Sequence, residues 1–133
     1  MNKELAIERI FSSVLSSKDF EPAVEAIEKL IDGSDDIFEI LWQRAIKPQS
    51  VGKHVLISAI SLYRLNINCP LSLQRALEQV CIEWEISIGE VAWYLANQFS
   101  REAVLDLTNR SEFKTEEKNI RLETIDYWIK NMG

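Results

Sequence analysis

The chain has 133 residues, with 15 Lys and Arg against 21 Asp and Glu, a formal charge of −6 and 47% hydrophobic content. That length and balance suit one globular domain and exclude a disordered chain. Four Gly and three Pro are too few for the tight turns of an all-β fold, and the formally uncharged stretch 54–63 is about half of what a membrane-spanning helix needs.

Apolar residues recur at helical spacing almost throughout. Leu5, Ile7, Ile10, Phe11, Val14 and Leu15 give a first helix one apolar face. Asp19 is placed to cap a second helix carrying Ala23, Ala26, Ile27, Leu30 and Ile31, with Gly33 as its left-handed terminator. Ser34, Asp35 and Asp36 open a third through Ile37, Ile40, Leu41 and Ala45, which Lys47, Pro48 and Gln49 break. Ser50 is placed to cap a fourth, apolar almost all round from Val51 to Leu65, the pattern of a helix covered on both sides. After a loop at 66–70, Pro70 suits the start of a fifth helix running to Glu83. Ser87 and Glu90 have capping-box spacing for a sixth, Ser100 restarts the chain into a short seventh, and Thr115 caps an eighth reaching Lys130. The expectation is one all-α domain, residues 1–133, of about eight helices.

A step of 33 residues links the even-numbered helices. Ala26 leads to Ala59, Ala92 and Ile125; Ala23 to Leu56, Gly89 and Leu122; Leu30 to Tyr63, Ala96 and Ile129. Asp126 breaks the pattern at the slot of Ile27, Ile60 and Trp93. Recurrent small or apolar residues at such a step predict four stacked antiparallel hairpins, a short α-solenoid. The layout resembles HEAT- and armadillo-like helical repeats over the whole chain, through period and hairpin order rather than a family motif. The resemblance implies a partner-binding surface on the second helix of each hairpin. Glu21, Glu25, Glu28 and Asp32 lie on the solvent side of the first such helix, and the step carries Glu28 to Ser61, Tyr94 and Tyr127 as one row. His54 and Gln98 are equivalents of Glu21 and Asp32 along neighbouring rows.

Charge is segregated. Residues 19–39 sum to −7, with Asp19, Glu21, Glu25, Glu28, Asp32, Asp35, Asp36 and Glu39 against Lys29 alone. Residues 40–77 sum to +5 and 78–90 to −4. Asp35 and Asp36 favour a helix N-terminus, whereas Glu25, Glu28 and Asp32 lie where the helix dipole disfavours them, which points to recognition of a basic partner. The acids at 32, 35, 36 and 39 miss the calcium-loop template, because Gly33 follows the first directly. His54 has neither a nucleophile elbow nor a second His, and no glycine-rich phosphate loop exists. No metal or cofactor is expected. The scattered basic residues and net negative charge disfavour nucleic acid, and no membrane contact is expected.

Cys69 and Cys81 stand without a CxxC partner, and the N-terminus carries Lys3, Glu4, Glu8 and Arg9 in place of an apolar leader, so a reducing, cytoplasmic setting is expected. Trp42 and Trp93 are expected in the core and Trp128 over the last layer, while Trp84, between Glu83 and Glu85, is the candidate exposed anchor. A small, acidic, all-helical chain is similar to the immunity proteins of bacterial toxin systems. That resemblance implies a non-enzymatic inhibitor whose carboxylates fill the basic cleft of a cognate toxin, often a nuclease, with Glu25, Glu28 and Asp32 as the charges and Tyr94, Tyr127 and Trp84 as anchors. The other readings are a general helical-repeat adaptor and a small hydrolase built on His54. In isolation a monomer or weak homodimer is expected, because an apolar end of the stack could pair with its copy.

Overall fold

A computed structural model describes residues 2–47 and 52–132. Among these, the chain is all-helical: α1 (Lys3–Ser12), a 3-10 turn (Ser17–Asp19), α2 (Phe20–Glu28), α3 (Asp36–Ile46), α4 (Gly52–Arg64), α5 (Leu73–Glu83), α6 (Gly89–Phe99), α7 (Arg101–Thr108) and α8 (Asn119–Lys130). The expected break at Pro48 and Gln49 and the expected start at Ser50 and Val51 lie outside the described residues.

The helix ends show which polar groups set the boundaries. Asn2 Oδ1 accepts from the Leu5 amide at 3.1 Å and starts α1. Asp19 accepts from the amides of Leu15 and Ser16, so its carboxylate closes the 3-10 turn rather than capping α2. Gly33 does adopt a left-handed φ of +87°, but α2 has already ended at Glu28. At the end of α4, Asn66 takes φ +50°. Its N–H donates to Tyr63 O and that of Ile67 to Leu62 O (3.3 and 3.2 Å), the paired bonds of a Schellman ending. Ser72, not Pro70, begins α5, its hydroxyl accepting from the Arg75 amide at 3.2 Å. Ser100 caps α7 as expected, through the Ala103 amide. Neither Ser87 nor Thr115 caps a helix: α6 follows Ile88, and α8 follows Lys118.

The even helices pack in order, α2 on α4, α4 on α6 and α6 on α8, and α3 lies along α4 over its length. α4 and α6 are therefore the central helices, and α6 leaves only Asn97 exposed. The third hairpin is splayed, for α5 lies against α3 and α8. The interior between the layers holds Phe11, Leu41, Trp42, Ile57, Leu62, Leu77, Trp84, Tyr94 and Leu95. Leu5 and Leu15, at the two ends of the first apolar run, are exposed.

Asp126, the residue that breaks the 33-residue pattern, ties α7 to α8. Its carboxylate accepts from the Thr108 hydroxyl and from Asn109 Nδ2 and faces Lys130 at 3.7 Å. An apolar residue there would forfeit the Asp126 bonds to Thr108 and Asn109 that join the two helices, leaving the buried Thr108 hydroxyl only the Leu105 carbonyl at 3.1 Å.

Candidate functional site

The expected row of Glu28, Ser61, Tyr94 and Tyr127 does not share a surface. Glu28 and Tyr127 are exposed, but Ser61 and Tyr94 are fully buried. Tyr94 points between the layers, its ring 6.4 Å from Phe38 and 6.2 Å from Trp42, and its hydroxyl donates to Ile67 O at 2.6 Å. Burial pushes its phenol well above the usual range. Gln98, one turn on, accepts from the Cys69 amide at 2.9 Å and donates to Asn66 Oδ1 at 2.8 Å. Tyr94 and Gln98 thus clamp the 66–69 loop onto α6, and Tyr94, fully buried, is not an anchor for a partner. Ser61 Oγ has no hydrogen-bond partner among the described residues.

Trp84 is also no exposed anchor. The chain leaves α5 at this residue with ψ 135°, which turns the indole inward until it is 1% exposed and donates to Ile88 O at 3.2 Å. Trp93, expected in the core, is instead half-buried on the outer face of α6. His54 is half-buried, stacked on Phe11 with ring centroids 4.9 Å apart. The Arg44 guanidinium lies 5.8 Å from the same Phe11 ring.

The acidic residues divide into paired and open groups. Lys3 Nζ lies 2.5 Å from Asp32 and 3.5 Å from Asp36, and also donates to Ser34 Oγ at 3.0 Å. The Lys3 bond, followed by those from Ser34, holds the Asp32 carboxyl well below its usual range. Glu21 pairs with Arg64 at 2.6 Å, which lowers the Glu21 carboxyl and raises the guanidinium further. Glu25, Glu28, Asp35 and Glu39 are exposed and make no ion pair among the described residues. Among those residues no group of three or more His, Cys, Asp or Glu is placed to hold a metal ion.

What the even helices present outward is a different set of residues. Tyr63 of α4, Trp93 of α6 and Trp128 of α8 are half-buried, and Tyr127 is exposed. Their rings follow one another across the three helices at centroid distances of 5.7, 5.9 and 5.5 Å. Trp93 Nε1 donates to Trp128 O at 3.0 Å, and Trp128 Nε1 donates to Ile86 O at 2.8 Å. Both indole N–H groups are consumed internally, so the exposed parts of these rings offer apolar and π surface. The row meets the acidic helix at Arg64, which follows Tyr63 and holds Glu21; Glu25 also raises the Arg64 pKa. Glu21, Glu25 and Glu28 recur at i, i+4 and i+7 and line one face of α2. The even helices therefore carry an acidic edge continuing into an aromatic ridge. Sequence reasoning missed Tyr63, Trp93 and Trp128 as one surface, although Tyr63 and Trp93 lay in the very slots of the 33-residue step.

No protein-family model, characterised protein or solved structure matches the chain. No described helix is long and apolar enough to cross a membrane.

Proposed function

We propose that the chain is a non-enzymatic protein-binding module that holds a basic protein on the face of its even-numbered helices. The observation that carries this reading is the continuity of the acidic edge with the aromatic ridge, joined by the Glu21–Arg64 pair beside Tyr63. Aromatic rings with internally bonded N–H groups supply desolvated contact area, while rim carboxylates steer a basic partner and set its register. Within that class, the reading that best joins size, acidity and all-α layout is an immunity protein. Its partner is then a toxin with a basic cleft, such as a nuclease, in which Glu25 and Glu28 stand in for substrate phosphates.

The test is co-purification with the product of the adjoining reading frame, followed by affinity measurement in low and high salt. Charge reversal of both Glu25 and Glu28 is expected to weaken the complex at least tenfold, corresponding to about 1.4 kcal/mol. A tight complex unmoved by that reversal refutes the acidic edge as the binding surface. The aromatic ridge also favours a second reading, a general helical-repeat adaptor. In that case Trp93→Ala abolishes binding, the Glu25 and Glu28 reversals are silent, and the partner is not a basic enzyme.

A further inference from the structure

We propose that the outer face of α8 is a self-association surface, through which two copies of this chain form a weak, two-fold symmetric dimer. α8 is the last member of the series α2, α4, α6, α8, and its inner sides are covered by α5, α6 and α7. On its outer side Ile120 is 67% and Tyr127 59% exposed, at i and i+7 on one face. Ile86, another of the exposed large hydrophobic residues, lies alongside, because its carbonyl holds the Trp128 indole N–H.

The polar groups of this face are already partnered within the chain, Glu123 by Lys114 at 3.6 Å. Thr124, between the two apolar residues, donates its hydroxyl to Ile120 O at 2.7 Å, and Asn131 donates its amide to Tyr127 O at 2.7 Å. Covering the face therefore strands neither donor. An apolar end on a helical stack otherwise needs a polar cap.

Charge selects a second copy as the occupant. Residues 114–130 carry Lys114, Lys118, Arg121 and Lys130 against Glu116, Glu117, Glu123 and Asp126, a neutral stretch in a chain of −6. The block of −7 at 19–39 spans α2, at the opposite end of the even series. Two copies thus meet with least repulsion at α8, whereas a basic protein is drawn to the other end. With two α8 helices antiparallel about an axis between residues 123 and 124, Ile120 faces the partner's Tyr127. The contact is isologous, so it closes at two copies.

Sedimentation equilibrium of the full chain from about 5 to 500 µM, the range of weak interfaces, tests this. The mass is expected to rise from 15.4 kDa towards twice that value. Ile120→Glu and Tyr127→Glu are each expected to raise the dissociation constant at least tenfold, with helical circular dichroism unchanged. An unchanged urea midpoint of each variant at low protein concentration separates loss of the contact from a folding defect. A constant mass of 15.4 kDa, association untouched by the Ile120 and Tyr127 variants, or growth beyond two copies overturns the proposal. The surface shares Tyr127 with the end of the aromatic ridge, so the partner-binding reading is tested separately, on Glu25, Glu28 and Trp93.

Discussion

Gly89→Ala tests the packing that holds the aromatic ridge in place. Gly89 opens α6, is buried, and does not need a left-handed backbone. Alanine there ought to gain helix propensity and reduce unfolded-state entropy, together about 1 kcal/mol of stabilisation. The surroundings reverse that sign. A Cβ at residue 89 falls 2.6 Å from both Cδ2 and Cε3 of Trp128 and 3.0 Å from Cε2, well inside van der Waals contact. The indole cannot withdraw freely, since its N–H is bonded to Ile86 O and the Trp128 carbonyl accepts from Trp93. Overpacking of this kind costs about 1–3 kcal/mol, and loss of the two hydrogen bonds adds about 1 kcal/mol each. The net expectation is destabilisation by about 2–4 kcal/mol, read as a lower urea midpoint at unchanged m-value, with altered tryptophan fluorescence. In a Trp128→Leu background, with the nearest atoms removed, the same substitution is expected to recover the gain of about 1 kcal/mol, and the double-mutant cycle isolates the contact. Gly89→Ala as stable as the parent refutes the close approach of α6 and α8 at this point.

Three further outcomes are expected. Tyr94→Phe removes the bond to Ile67 O inside the core and is expected to cost about 1–3 kcal/mol in urea unfolding. Ser100→Gly is expected to stabilise by about 1 kcal/mol and raise Tm. Its φ of +88° with ψ 150° is a glycine conformation, and exchanging a Ser cap for Gly loses only a few tenths of a kcal/mol. At alkaline pH, stability is expected to fall. Burial raises the Cys81 thiol from its ordinary 9.0 to about 11, so the folded chain holds this proton more tightly than the unfolded one. The contribution is complete below about pH 8.5 and is lost as pH climbs from 9 to 11, read as a declining urea midpoint that Cys81→Ala partly flattens.

The helices were legible because each carries its own apolar periodicity, and local hydroxyls such as Ser100 marked real starts. Competing local bonds defeated other signals. Asp19 spends its carboxylate on Leu15 and Ser16, and Glu85 accepts from the Ser87 amide at 3.2 Å where a Ser87 capping box was expected. The row through Ser61 and Tyr94 failed for a different reason. Register along a repeat locates equivalent positions, but each helix turns according to its own neighbours. Glu28 is exposed on a terminal helix of the series, whereas residues 61 and 94 sit on central helices with neighbours on both sides. One residue earlier, the same step reaches Ile60 and Trp93, which do reach the surface in part. Trp84 was misplaced because flanking glutamates say nothing about a backbone that turns inward after a helix ends.

The segregated charges acquire another meaning once the hairpins are stacked. The acidic block at 19–39 and the basic stretch at 40–77 are consecutive in sequence, so they become neighbours in the stack and partly cancel. Between the two blocks Arg64 takes Glu21, while α1 supplies the other partners, Glu8 for Arg44 and Lys3 for Asp32 and Asp36. Asp19 is held by backbone amides. Of the eight acids in the block, these interactions leave Glu25, Glu28, Asp35 and Glu39 without an ion pair among the described residues. Glu25 and Glu28 are the pair that shares the α2 edge adjoining the ridge, which is why reversing them is the decisive change. Under the proposed function, salt is therefore expected to weaken partner binding as for a few rim charges, not for a block of −7, with most of the affinity coming from the rings beside them.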